Sequence, residues 1–257
     1  MANPFVYGEI VPREAFADRE EELDRLVEDL AAAQKVFLIS PRRYGKSSLV
    51  RHALDLVARQ GALTVELTVS SYSSYVAFLE GYARALASVE RPWQRARTWL
   101  AEVITATRPE LRVEPEETGL ARLSVAFPAA RSERDINRLA NEVFALPGRL
   151  ATERRRTVVV ALDEFQAIDA FDGGSVEHAL RAAAQQQRQV GYVFAGSEPS
   201  LMEKMIGPRR PFYKAGPVMR LDKMDLKFRL YKSSFFCCYF CWLSVIQIVQ
   251  AILHLLR

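Results

Sequence analysis

The sequence predicts an α/β protein built on a mainly parallel sheet with helices on both faces. Three observations predict it. A strand, a basic loop, a helix and a second strand follow one another over residues 36–69. A later apolar run, TVVVAL (157–162), ends in the acidic pair Asp163 and Glu164. Strand-like and helical segments alternate along the rest of residues 1–225, which calls for parallel strands joined by helical crossovers.

DREEELDRLVEDLAAAQ places Leu23, Leu26, Val27 and Leu30 at helical spacing, with Asp18 in position to cap it and acidic residues in its first turn. VFLIS (36–40) is a short apolar run of the kind covered on both faces. KSSLVRHALDLVARQ then reads as a helix stopped by Gly61, and ALTVELTV as the second strand. SYVAFLEGYARALASV and WQRARTWLAEVITAT are expected helices, LARLSVAF (120–127) a strand, and RDINRLANEVFAL a helix. SVEHALRAAAQQQRQ is a helix, VGYVFAGS (190–197) a buried strand, EPSLMEKMI a short helix and GPVMRL a last strand. No repeat and no low-complexity linker divides this body.

Composition bounds the function. At 257 residues and 49% hydrophobic the chain can bury a substantial core. The formal charge is +4, but four of the 35 basic residues, Lys227, Arg229, Lys232 and Arg257, lie beyond Asp225, so 31 basic residues meet 31 acidic ones in residues 1–225. A neutral body argues against a nucleic-acid binder. The three cysteines, Cys237, Cys238 and Cys241, also lie in the tail, and MANPFVYGEI lacks the pattern of a signal peptide, so the body is expected to be cytoplasmic.

The chemistry centres on SPRRYGKSS (40–48). A phosphate-binding loop works because a turn between strand and helix aims backbone N–H groups and the positive helix end at phosphate oxygens. Pro41, Arg42, Arg43, Tyr44, Gly45, Lys46, Ser47 and Ser48 would form that wrap; Lys46 would reach the β- and γ-phosphates, and Ser47 would ligate magnesium. Alone, G-K-S could equally be a basic turn. Asp163, holding the metal directly or through water, and Glu164, polarising the attacking water, supply the other half of a nucleoside triphosphatase. The bland alternative is a pair capping the following helix. Ser40 stands where the usual G-x-x-x-x-G-K-[ST] pattern has its first glycine, a change that is tolerable if residue 40 has φ below zero. The Arg42 and Arg43 side chains are expected in solvent or paired with acidic groups.

FADREEEL, PRRYGKSSL, VVVALDEFQAI, YVFAGSEPSLMEKMI and RRPFYKAGPV, in this order, resemble the prokaryotic P-loop ATPases of the AAA+ and STAND-like kind, with D-E-F-Q as the Walker B segment. The resemblance covers about residues 5–225. It implies a three-layer α/β/α P-loop fold in which the strand ending at Ser197 separates the Asp163 strand from the loop strand. It implies ATP and magnesium as ligands, and Ser197 as a polar sensor near the γ-phosphate and the attacking water; Ser197 as a simple helix cap is the alternative. Phe16, with Arg19, matches a box whose apolar residues pack against adenine, or else belongs to ordinary core. Arg209 and Arg210 stand where relatives place an arginine finger acting on a neighbouring subunit, although a solvated turn or a structural pairing is the plainer reading.

The chain departs from that family after Asp225. Instead of a helical lid it reads as a hydrophobic tail, 226–257, whose segment 233–256 is free of charge and long enough to span a bilayer. Lys227, Arg229 and Lys232 would keep its N-terminal side in the cytoplasm. A disrupted reading frame, a tail anchor and a buried helix are the three readings. Cys238 and Cys241 form C-x-x-C without a second ligand pair, so zinc is not expected. His52 and His178 have no partner motif. The expected function is magnesium-dependent ATP binding and hydrolysis acting as a conformational switch, with an unknown protein partner and possible self-association. A non-hydrolysing nucleotide-dependent interaction module and a DNA-associated ATPase of a mobile element are the alternatives.

Overall fold

Five parallel strands form the central sheet of a computed structural model, which describes residues 19–89, 93–105, 107–115, 121–171 and 175–222. In chain order the strands are β1 (Lys35–Ile39), β2 (Leu63–Thr68), β5 (Val158–Asp163), β6 (Val190–Gly196) and β7 (Val218–Arg220). Across the sheet they run β2-β5-β6-β1-β7. Every pairing is parallel, with Thr68 opposite Asp163 and Ile39 opposite Gly196, so the carboxyl ends of all the functional strands share one edge.

Alternation along the strands makes three layers, because successive side chains point to opposite faces. Val36, Leu38, Val159, Ala161, Val193 and Ala195 face the first two helices, α1 (Glu20–Ala31) and α2 (Lys46–Arg59), through Leu26, Leu30, Leu49 and Val57. Phe37, Ile39, Val158, Val160, Leu162, Tyr192 and Phe194 face the other layer, made by α3 (Tyr75–Ala87), α4 (Trp93–Val103), α5 (Glu133–Arg154) and α6 (Ser175–Gln186). β5 and β6, covered on both faces, are buried at every position, as their unbroken apolar runs require. A short α7 (Pro199–Met205) follows β6. The fold is therefore the expected three-layer α/β/α P-loop architecture, with β6 between β5 and β1 as the resemblance implied.

Four local expectations change. Glu110–Pro115 is a strand, β3, that the sequence reading passed over; it pairs antiparallel with β4 (Ala121–Ala126) in a separate two-stranded sheet. Its charged residues Glu110, Arg112 and Glu114 alternate with Leu111 and Val113, and that half-apolar alternation was the missed signal. α5 runs straight through Pro147, which is buried, to Arg154, where packing overrides a residue that usually breaks helices. The acidic pair leads into a 3₁₀ helix, Phe165–Ala170, rather than directly into α6. Finally, α1 begins at Glu20 with Arg19 as its cap residue, and the expected cap Asp18, like Phe16, lies outside the described residues. The hydrophobic tail also lies outside them: residues up to Leu221 belong to one compact unit, and of the second, Asp222–Arg257, only Asp222 is described. Among the described residues no helix is long and apolar enough to cross a membrane.

Candidate active site

The loop between β1 and α2 carries the first half of the site. Gly45 caps α2 with φ of +83°, a left-handed conformation that favours glycine. A Cβ there would meet no protein atom within 4 Å, so conformation and not protein crowding selects the residue. Ser40 is buried, donates its backbone N–H to Gly196 O at 3.2 Å and its hydroxyl to Pro41 O at 3.0 Å, and is not among the positive-φ residues. The condition under which serine can replace the first glycine is met. Arg42 is exposed and pairs with Glu198 at 3.8 Å, while Arg43 is exposed with φ of +70°. Tyr44 and Pro41 are half-buried and Ser48 is buried.

The second half comes from the ends of β5 and β6. Lys46, only 6% exposed, contacts Asp163 Oδ1 and lies 3.4 Å from Glu164 Oε1. Ser47 donates its hydroxyl to Asp163 Oδ2 at 3.0 Å. The Glu164 backbone N–H reaches Asp163 Oδ1 at 2.8 Å, and Glu164 itself has a left-handed φ of 51°. A glutamate in that conformation is uncommon, and such strain concentrates at functional sites. The Glu164 side chain does not cap the 3₁₀ helix; its Oε2 accepts from Ser197 Oγ at 2.6 Å and from Gln166 Nε2 at 2.6 Å. Ser197 likewise makes no helix cap, since α7 is preceded by Glu198 and has no side-chain cap.

Burial alone would raise the Glu164 carboxyl. Hydrogen bonds from Ser197 and Gln166, with the Lys46 charge, outweigh it and hold the group below the ordinary value of 4.5. Glu164 is thus an ionised acceptor at neutral pH, one oxygen clamped by two donors and the other toward a lysine.

Arg210 sits elsewhere. Its Nη2 donates to Asp169 at 2.9 Å and to the buried Glu177 at 2.5 Å, tying the loop after α7 to the 3₁₀ helix and α6. Arg209 is exposed, with φ of 68°. His178 is exposed and His52 half-buried on α2. Sequence reasoning did not single out Gln166, the last residue of D-E-F-Q; its place beside the acidic pair was the one sequence cue, and its burial to 8% exposure is known only from the fold. It also missed Glu177 as the buried partner of Arg210.

No family model matches the chain, and no curated protein matches it. Solved structures do. A Walker-type ATPase of Pyrococcus abyssi is similar at TM-score 0.53 and 20% identity, over 88% of this chain and 59% of that one. The ORC1 protein of Aeropyrum pernix, solved in complex with DNA, is similar at TM-score 0.53 and 16% identity, over 84% and 48%. Cdc6p from Pyrobaculum aerophilum is similar at TM-score 0.50 and 16% identity, over 85% and 48%. At these identities the likeness is one of fold. The chain spans about half to three-fifths of the length of those proteins.

Proposed function

We propose that the protein binds ATP with magnesium and hydrolyses it, using the cycle as a conformational switch. The observation that carries this reading is the meeting of Lys46 and Ser47, at the start of α2, with Asp163 and Glu164, 117 positions further along the chain and two strands away. In parallel α/β sheets such crevices beyond the strand ends are where ligands bind.

The donor set fits magnesium. Ser47 and Asp163 offer hard oxygen ligands already in contact with each other, and among the described residues no cluster of three His, Cys, Asp or Glu exists that would form an all-protein cage. Few protein oxygens beside substrate phosphates is how magnesium is usually held. Ser47 and Asp163 would hold the ion, which would supply positive charge against the phosphates of the nucleotide.

The residues of the chain divide the remaining work. Backbone N–H groups from Arg42 to Ser48 and the start of α2 receive phosphate oxygens. Lys46 exchanges its carboxylate partners for the β- and γ-phosphates. Glu164, freed of the lysine, accepts a hydrogen bond from the attacking water, and Ser197 holds Glu164 from behind. The exchange of Lys46 between carboxylates and phosphate is the local event that a switch would transmit. The DNA bound by the Aeropyrum protein does not travel with the fold, and 31 basic against 31 acidic residues up to Asp225 give a duplex no excess charge to bind. A protein partner and self-association remain part of the proposal, as does a cytoplasmic location.

The test is magnesium-dependent ATP binding and phosphate release by the full chain. Lys46→Ala is expected to abolish nucleotide binding, whereas Glu164→Gln retains ATP and loses at least a hundredfold in turnover. Normal turnover in either variant refutes the roles assigned. Tight magnesium-ATP binding with no phosphate release, insensitive to Glu164, would make the protein a non-hydrolysing nucleotide-dependent interaction module.

A further inference from the structure

We propose that Gln166 is a positioning residue that clamps one oxygen of the Glu164 carboxylate so that the other faces the nucleotide. The inference rests on the reading of Glu164 as the group that polarises the attacking water.

Gln166 lies in the 3₁₀ helix whose first residue, Phe165, is locked against Phe194 and Phe212 with ring centroids 4.7 and 5.3 Å away. The backbone beneath Gln166 is therefore anchored in the core. Its Nε2 is 2.6 Å from Glu164 Oε2 and 3.5 Å from Ser197 Oγ, and Ser197 donates its own proton to the same Oε2 at 2.6 Å. Both donors converge on one carboxylate oxygen. Oε1, the other, has Lys46 Nζ at 3.4 Å, so it is the oxygen released when the lysine turns to phosphate. With its hydroxyl proton committed to Glu164, Ser197 acts on the reaction through that carboxylate.

The orientation of the Gln166 amide is set by chemistry, since only its NH₂ can meet a carboxylate. That choice leaves the amide Oε1 buried without a hydrogen-bond partner among the described residues. It lies against the end of β6, where a Cβ on Gly196 would come within 2.8 Å of it and within 2.4 Å of Met202. A buried acceptor left unpaired calls for an explanation. A methionine would fill the same space without that orphan, so packing does not explain the glutamine. Its NH₂ is what the site uses.

The experiment compares the full chain with Gln166→Met, measuring the dissociation constant for magnesium-ATP, KM, kcat and thermal midpoint. The expected result is a dissociation constant and KM within twofold of the parent, kcat lower by at least tenfold, and a midpoint equal or higher. Ser197→Ala and the double variant complete the cycle. Because both donors grip one oxygen, the double variant is expected to lose more than the product of the single losses and to approach Glu164→Gln. Unchanged kcat in Gln166→Met overturns the inference. So does a loss of kcat that tracks a lowered midpoint, a loss of nucleotide affinity, or strictly multiplicative losses in the double variant. If Gln166→Met does not fold, Gln166→Asn, a methylene too short to hold the carboxylate, is judged by the same criteria. Parent protein without Lys46-dependent phosphate release, or Glu164→Gln with normal turnover, shows instead that the ATPase reading itself has failed, and the inference falls with it.

Discussion

Gly45 and Glu164 hold left-handed backbone on the two sides of the site, and they do so for different reasons. At Gly45 the conformation opens the helix end, and glycine adopts it at little cost. Replacing Gly45 by alanine is expected to destabilise the protein by about 1–2 kcal/mol, the cost of a Cβ in left-handed backbone. No protein atom lies near enough to add a clash, so a loss well above that range in urea unfolding would contradict the assignment. At Glu164 the same conformation is held by a non-glycine residue whose carboxylate is fixed by Ser197 and Gln166. The sequence shows which residue types meet here, since Gly45, Lys46, Ser47, Asp163 and Glu164 are all recognisable from strand-end context. It does not show that Gln166 joins them. A side chain two positions along a 3₁₀ turn points back at its neighbour only because Phe165 is pinned by Phe194 and Phe212, and those contacts are tertiary.

At the scale of elements, the link among the 3₁₀ helix, α6 and the loop after α7 rests on one buried charge. Glu177 is 1% exposed, and burial outweighs the Arg210 guanidinium to push its carboxyl above the ordinary value of 4.5; Asp169 adds to the rise, and His178 opposes it. Arg210 for its part is raised, first by its hydrogen bond to Asp169. The two partners thus pull in opposite senses, and at the buried member desolvation governs. A carboxyl raised on folding binds protons more readily in the native state. The contribution of Glu177 to stability therefore rises as pH falls from neutrality through the raised value, and levels off below about 4.5, the unfolded value. Glu177→Gln is expected to flatten that slope in unfolding measured from pH 7 to pH 4, whereas Arg210→Ala strands the buried carboxylate and costs about 2 kcal/mol or more, short of a fully buried pair because Arg210 is partly exposed. Apolar periodicity made β1, β5 and β6 legible, since strands covered on both faces read as unbroken runs. The second half of α5 was not legible, because an internal proline points the other way until packing is known, whereas β3 did carry a period-two alternation, only weakened by its charged positions.

The described unit is built on a five-stranded sheet between two apolar cores, and the candidate site spans the junction of three of its strands. A ligand that binds only the assembled site stabilises everything on which that site depends. At a hundredfold excess over its dissociation constant, magnesium-ATP is expected to add about 2.7 kcal/mol. That is a rise of roughly 5–10 °C in thermal midpoint for a unit of this size, and Lys46→Ala should show none. An equal rise in that variant would place the nucleotide elsewhere. Strand order has a consequence during synthesis as well. β6 is made after β1 and β5 yet lies between them, so a nascent chain that ends before Gly196 holds the lysine and the two acids with no strand to bring them together. ATP can stabilise nothing at that stage. Under the proposed function, a growing polypeptide would therefore gain the ability to hold nucleotide only once β6 has emerged to join β5 to β1.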